Sequence, residues 1–565
     1  MRVLYPDKLN FYQALRDAPA NSLDVVVFAT GAFAPINIEG LKRTLAECVR
    51  ALRSGGLLFV QGYPDYLPEV GVYLETYLNF KYWIAIESDV RQKQKGLPSV
   101  HAAVLLFVKG NSLKIRRVRF PHKFCAFCGK PLKDWGGKTH LMHPEGYAIS
   151  DVWRELPRTD NYTQISAPVL NTIMQMLDIE SANSETYLFG EQSGKQDGRL
   201  SGVIGPREGI EFAQAVAEPR SQYVLPGFSA VTEEKAFDTV VNEVTDRKID
   251  VVIRGDAVEV LKRYPDNSID LVFADPPYNL DKPYNVYDDE REVERYIAWC
   301  NTWLKEYIRV LKPTGSLYVL NLPRWAMHHA VYLNQHLYFQ NWIVWDALSE
   351  PRGKLMPAHY GLLFYTKHPT DFTFNYDEVD QLDARHYCLR SSCIRQRKRD
   401  AANDKEPLTD IWWNIHRIKH RRDRDYHPCQ LPEALLERLI RLSTNSGDIV
   451  LDALSGAGTT AVTAARLGRR YVAIDIDEKY VRITKEKIAQ VERNGQVERK
   501  SVSKPHADYT KKELQLELRD LAARLGRLPT PEDVRRMSQY DIRLFYEMFP
   551  TWGKALKAAK LEIQA

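Results

Sequence analysis

The sequence predicts an α/β protein in which a mostly parallel sheet is laid down twice along the chain, followed by a small all-α module. Three observations carry this. Short apolar runs such as Val251-Val252-Ile253, Leu271-Val272-Phe273 and Leu317-Tyr318-Val319-Leu320 alternate with amphipathic stretches such as Leu435 to Leu442 and Val462 to Leu467, the pattern of buried strands covered by helices. A long internal repeat keeps its landmarks in order. The last fifty or so residues show helical periodicity alone.

Composition bounds the rest. A chain of 565 residues is too long for one core. Hydrophobic residues at 44% and charged residues at 27% exclude disorder as the main state. Against 73 acidic residues stand 78 basic ones, a balance of only +5, so any nucleic-acid surface must be a local patch. Seven cysteines, an odd number thinly spread, argue for reduced thiols and a reducing compartment. No apolar run approaches the roughly 20 residues that span a bilayer, and Met1 to Lys8 lacks the apolar core of a signal peptide. The expectation is a soluble cytoplasmic protein with no membrane partner.

The repeat divides the chain. Asn21 to Ala29 resembles Asn267 to Ala274, and Leu52 to Val60 resembles Leu311 to Val319. Phe80, Trp83 and Ile84 match Phe339, Trp342 and Ile343; His101 and Lys109 match His359 and Lys367; Asp151-Val152-Trp153 echoes Asp410-Ile411-Trp412. The reading is two copies of one domain at 1–235 and 240–495, a polar linker over residues 495–512, and a helical segment at 513–565.

Within the second copy, Asp275-Pro276-Pro277-Tyr278 follows the strand Leu271 to Ala274 directly. A carboxylate at a strand's C-terminal edge can accept a hydrogen bond from an exocyclic amine, the rigid Pro pair can hold a backbone carbonyl toward the same amine, and the Tyr ring gives a stacking face for a planar base. Two acceptors aimed at one amine leave its lone pair available for attack. A simple turn after a strand is the bland alternative. Ile449 to Thr460 then reads as strand, glycine turn and helix start; Gly456 and Gly458 let the backbone bend sharply and approach a ligand. The next strand, Tyr471 to Ile474, ends at Asp475, where a ribose-binding acid would stand. The dinucleotide fingerprint's third glycine is missing, which favours a nucleoside without a pyrophosphate.

Asp275 to Tyr278, Ser455-Gly456-Ala457-Gly458-Thr459-Thr460 and His427-Pro428-Cys429-Gln430-Leu431-Pro432 together resemble the three hallmark motifs of amino-group DNA methyltransferases that use S-adenosylmethionine, in the order of the beta branch. The resemblance covers residues 250–495 and implies a Rossmann-like S-adenosylmethionine-dependent methyltransferase fold. It also implies that Asp275, Pro276, Pro277 and Tyr278 are catalytic, that Asp452, Ser455, Gly456, Gly458, Thr459, Thr460 and Gln430 hold the methionine part of the cofactor, that Asp475 holds its ribose, and that Asp256 lies near its adenine. Leu431 stands where the family usually has Lys, and His359-Tyr360 where it often has His-Glu. The activity implied is site-specific methylation of a flipped base in double-stranded DNA, with adenine N6 favoured by an Asp at the head of the tetrapeptide. A cognate restriction or defence nuclease is the implied partner. N4-cytosine methylation and a non-catalytic DNA-binding subunit of a modification system are the alternatives.

The first copy reads Thr30-Gly31-Ala32-Phe33 at the catalytic position, with neither carboxylate nor Pro pair, and Asn183 to Gln192 does not align with Asp452 to Thr460; a catalytically dead copy is expected. Cys125-Ala126-Phe127-Cys128-Gly129 is a knuckle-like pair followed by His140 and His143, a spacing that would suit a structural zinc held by Cys125, Cys128, His140 and His143; the alternative is two buried thiols and two surface histidines. Cys388 and Cys393 occupy the matching place in the second copy without a clear knuckle. Arg395, Arg397, Lys398 and Arg399, then Arg417, Lys419, His420, Arg421, Arg422 and Arg424, flank Trp412 and Trp413 and are expected to meet phosphates. In the tail, Thr530 should cap a helix with Pro531 in its first turn, and the segment resembles the small helical repeats associated with homing endonucleases.

Overall fold

The computed structural model describes residues 2–4, 15–33, 36–132, 142–158, 165–177, 185–189, 249–280, 292–347, 354–388, 390–400, 405–418, 430–497, 511–549 and 551–561. The chain forms two compact units, Met1–Val497 and Glu498–Ala565.

In the first unit, the later sheet has eight strands in the order Val251–Arg254, Arg470–Asp475, Ile449–Asp452, Ile269–Ala274, Leu311–Asn321, His359–Thr366, Tyr338–Asp346 and Ile411–Trp412. The first five run parallel and His359–Thr366 runs against its neighbours. Ile269–Ala274 is buried along nearly its whole length because helices cover both sheet faces. The helix Val293–Val310 shows how the sequence drives this packing: Tyr296, Cys300, Trp303 and Tyr307 recur at helical spacing and are all fully buried. The amphipathic stretches expected from periodicity appear as the helices Glu433–Ser443 and Thr459–Arg466.

The earlier sheet runs Arg2–Leu4, Glu185–Phe189, Leu23–Ala29, Leu52–Gly62, Ser99–Val108 and Asn79–Arg91. Its last four strands follow the same order and directions as Ile269–Ala274, Leu311–Asn321, His359–Thr366 and Tyr338–Asp346. Glu185–Phe189 pairs with Leu23–Ala29 as Ile449–Asp452 pairs with Ile269–Ala274, so the stretch without a sequence match holds the corresponding strand. Details repeat as well. Lys109 Nζ donates to the Asn21 side chain and the Leu52 carbonyl, and Lys367 Nζ to the Asn267 side chain and the Leu311 carbonyl. Asn21 and Asn267 both adopt positive φ, 59° and 55°.

The two sheets meet through matched residues. The Trp83 and Trp342 rings stack with centroids 3.9 Å apart and planes 8° from parallel. Asp410 accepts from the Val100 and His101 amides at 2.8 and 3.0 Å, while Asp151 accepts from the Ala358 amide at 2.7 Å with His359 Nδ1 at 3.1 Å. Burial lowers the His101 imidazole to about 3, so the ring is neutral: Trp83 Nε1 donates to its Nε2 and its Nδ1 donates to the Trp342 carbonyl at 2.9 Å. Glu75 joins Arg324 and His328 at 2.6 Å each, linking the helices Leu67–Glu75 and Pro323–Leu333.

The second unit has its own core of Leu514, Leu518, Leu521, Val534, Phe545 and Phe549. Thr530 caps the helix Pro531–Met537 in a reciprocal capping box with Asp533, and Arg527 grips the same carboxylate.

Candidate active site and a four-thiol cluster

Four adjacent parallel strands each lead into an aspartate at the same edge of the sheet. Asp275 follows Ile269–Ala274, Asp452 and Asp475 end their own strands, and Asp256 lies just past Val251–Arg254. Phe273 is level with Asp452, and Asp475 with Arg254. At roughly 4.8 Å between strands, this lays a row of carboxylates along the C-terminal edge of the sheet, where open α/β sheets take their ligands.

Asp275 is half-buried, and its Oδ1 accepts from the Tyr278 hydroxyl at 2.6 Å. The loop is pinned from beneath: Tyr296 Oη donates to the Pro277 carbonyl at 2.6 Å, Trp325 Nε1 to the Tyr278 carbonyl at 2.8 Å, and Asn321 Nδ2 to Tyr296 Oη at 3.1 Å. The Tyr278 ring is buried, with its centroid 5.6 Å from that of Tyr360. Tyr296, Trp325 and Asn321 are supports that sequence reasoning missed; the helical stripe through Tyr296 was the available signal.

The glycine turn is held as tightly. Gly456 and Gly458 have φ of 48° and 76°, a region that favours glycine. Asp475 Oδ2 accepts from the Gly456 amide at 2.7 Å and Oδ1 from the Asp477 amide at 2.8 Å, and burial raises its carboxyl to about 7. Asp452 is buried, accepts from the Leu454 amide and the Thr460 hydroxyl, and is pushed up to about 6 by that burial. Lys487 Nζ donates to the Ala457 carbonyl, and the Ala453 amide donates to Tyr307 Oη. Ser455 Oγ is buried with no hydrogen-bond partner among the described residues, and Thr459, at the helix start, is half-buried. Asp256 is exposed and caps the helix Ala257–Leu261, accepting from the Val258 and Glu259 amides with Oδ1. Gln430 is half-buried at the approach to Glu433–Ser443; His427, Pro428 and Cys429 lie outside the described residues.

The structure gives two of the expected groups other neighbours. Cys125 and Cys128 meet cysteines of the other half: Cys125 Sγ lies 3.8 Å from Cys393 Sγ and Cys128 Sγ 3.6 Å from Cys388 Sγ, with all four sulfurs within 4.8 Å of one another. His143 instead faces Glu145 at 3.9 Å near the surface, and His140 lies outside the described residues. The knuckle finds its partners across the sequence because the matched halves bring their matching loops together. Arg397 is fully buried, donates to Cys393 Sγ and the Cys388 carbonyl, and is no phosphate contact. Arg395, Lys398 and Arg399 on the same helix, and Arg417, are described; Lys419 to Arg424 are not. No described helix is long and apolar enough to cross a membrane.

Comparison with known proteins adds an independent line. The family described as DNA methylase matches residues 269–486, and the homing endonuclease associated repeat matches 509–562. The chain is 33% identical over 312 residues to the type II methyltransferase M.BamHI of Bacillus amyloliquefaciens, covering 54% of this chain and 70% of that protein. It is 36% identical over 242 residues to the type II methyltransferase M.HpaI of Haemophilus parainfluenzae, with coverages of 42% and 73%. With the DNA adenine methyltransferase YhdJ of Escherichia coli K12 it shares 32% identity over 238 residues, with coverages of 41% and 80%.

Proposed function

The chain belongs to the DNA methylase family, and from that membership we propose that it carries a methyl group from S-adenosylmethionine to the N6 amine of an adenine turned out of duplex DNA. The observation that carries the reading is the Asp275 carboxylate at the sheet edge, one strand away from the glycine turn. An aspartate heading the tetrapeptide, and the adenine methyltransferase among the relatives, favour adenine over cytosine. A cognate nuclease is the partner that the resemblance brings with it.

The turn suits the cofactor. Ser455 Oγ is a buried polar atom without a partner among the described residues, and such an atom is costly unless a ligand satisfies it. Each Asp475 oxygen takes one backbone amide and keeps a second lone pair for a ribose hydroxyl. Asp256 spends Oδ1 on its helix cap and keeps Oδ2 for an adenine amine. Asp452 and Thr460 bind each other, so they shape the turn while backbone and Ser455 reach the ligand. When bound, S-adenosylmethionine supplies a methyl group on a positively charged sulfur. The chain's residues then do the rest. Asp275 would exchange the Tyr278 hydroxyl for one N–H of the target amine, the Pro276 carbonyl would accept a hydrogen bond from the other N–H, and Tyr278 would offer its ring to the base. Alignment would be the main source of rate: the N–CH3 bond would form as the methyl–sulfur bond breaks, and the amine's surplus proton would pass to the Asp275 carboxylate that holds it and from there to water. Residues 1–235 are a degenerate copy that adds DNA-facing surface without chemistry, and residues 513–565 add a DNA-binding helical module.

The test is Asp275→Ala. Methylation of duplex DNA should fall by at least about a hundredfold, while calorimetric affinity for S-adenosylmethionine persists. Direct sequencing of the modified base reads N6-methyladenine in the active protein; N4-methylcytosine there would replace the adenine reading, and full activity in the variant would overturn the role of Asp275.

A further inference from the structure

The cluster of Cys125, Cys128, Cys388 and Cys393 plays no part in methyl transfer, and its geometry is specific. The close pairs, 3.8 and 3.6 Å, match the separation of about 3.8 Å between sulfurs on a regular tetrahedron around zinc with Zn–S near 2.3 Å. A disulfide requires sulfurs about 2.05 Å apart, and all four cysteines are free.

Each pair is presented by a built turn. Cys125 and Cys128 lie on a tight hairpin: the Cys125 amide donates to the Lys130 carbonyl at 2.7 Å, the Gly129 amide to the Cys125 carbonyl at 2.9 Å, and Gly129 has φ of 66°. That turn aims both sulfurs to one side. Cys393 sits in the first turn of the helix Ser391–Arg399, and Cys388 just precedes that helix. The two turns are joined by the Ala126 amide donating to the His386 carbonyl and by Arg390 donating to the Pro131 carbonyl.

The surroundings suit sulfur in its anionic form. The Cys388 amide donates to Cys125 Sγ at 3.3 Å, and the fully buried Arg397 guanidinium donates to Cys393 Sγ at 3.0 Å. A guanidinium shut away from water calls for negative charge beside it, and four thiolates packed together call for a compact dication. We infer that Cys125, Cys128, Cys388 and Cys393 bind one structural zinc ion, which ties the N-terminal half of the first unit to the catalytic half. Binding releases four protons, one from each thiol, and leaves a tetrathiolate zinc of net charge −2 beside Arg397. With four protein ligands the coordination is closed, so the metal holds structure and leaves no position for substrate.

Metal analysis of the purified full chain should find one zinc per chain. It should persist in the His140→Ala/His143→Ala variant and be lost in Cys128→Ser/Cys388→Ser. Because the cysteine variant could fold poorly, the wild-type chain is also exchanged with cobalt(II), which should give the intense thiolate-to-metal bands of a four-sulfur tetrahedral site. Wild-type protein without zinc, a disulfide within the cluster, loss of zinc in the histidine variant, or a cobalt spectrum with nitrogen ligands would each overturn the assignment.

Discussion

Asp475 ends its strand with both oxygens already accepting backbone amides, yet burial still raises its carboxyl to about 7. That has a consequence for binding. Ribose hydroxyls donating to Asp475 favour its charged form, so occupancy lowers the carboxyl's pKa. Affinity for S-adenosylmethionine should therefore climb with pH toward about 7 and level off above it, losing up to about tenfold per pH unit below. Calorimetric titrations across this range should show the slope, and Asp475→Asn should bind weakly and without it; an unchanged slope in that variant would sink the ribose assignment. Among single residues, the places of the Asp275 to Tyr278 turn and of the glycine turn at the sheet edge were legible because each is local: a few neighbouring residues carry it. The sulfur cluster was half legible. Cys125 and Cys128 announce themselves by spacing, but Cys388 and Cys393 become ligands only through a fold that closes some 260 residues of chain. Arg397 was misread for a related reason, since charge along a helix does not say which face is buried.

At the scale of elements, the turn between Ile449–Asp452 and Thr459–Arg466 shows how a helix fixes a site. A Cβ on Gly458 would lie 2.2 Å from Thr484 Cγ2 and 2.3 Å from its Oγ1, and Thr484 is fully buried on the helix Glu478–Asn494. The glycine is therefore required by helix packing and by its φ of 76°, before any ligand arrives. Gly458→Ala should destabilise the ligand-free protein by about 1–3 kcal/mol, and adding Thr484→Ala should recover part of the loss. Thermal melts without cofactor check this; an unchanged melting temperature would return the glycine's role to the ligand alone. The sequence pattern located the strands Val251–Arg254, Ile269–Ala274, Leu311–Asn321, Ile449–Asp452 and Arg470–Asp475 and the helices Glu433–Ser443 and Thr459–Arg466, because burial on one face leaves a period in the sequence. It could not find Glu185–Phe189, five residues whose identity as a strand comes from pairing with Leu23–Ala29 far away.

At the scale of the whole first unit, a half in which Ile269–Ala274 leads into Asp275-Pro276-Pro277-Tyr278 meets one in which Leu23–Ala29 leads into Thr30-Gly31-Ala32-Phe33. Phe28 pairs with Val60 as Ala274 pairs with Val319, so the register puts Ala29 level with Asp275; Thr30, the next residue, is fully buried, and its hydroxyl donates to the Gln61 carbonyl and meets Tyr66 Oη, both at 2.7 Å. A side chain locked in this way offers a base amine no carboxylate. Calorimetry with S-adenosylmethionine should therefore find one cofactor per chain, bound by residues 240–495; a stoichiometry of two would mean that the N-terminal half kept a working site. The repeat in the sequence pointed to two like halves, and four strands of each sheet share one order and set of directions; it could not say that the sheets meet face to face through the matched residues, because similarity along a chain carries no docking geometry.

The stacked Trp83 and Trp342 and the reciprocal Asp151 and Asp410 contacts make this meeting isologous, the arrangement two identical subunits adopt around a two-fold axis. Here one polypeptide supplies both faces. Their encounter is unimolecular, set by an effective concentration that the connecting chain provides, so the law of mass action gives dilution no hold on it. What a dimer must maintain through abundance, this protein carries with every copy it makes.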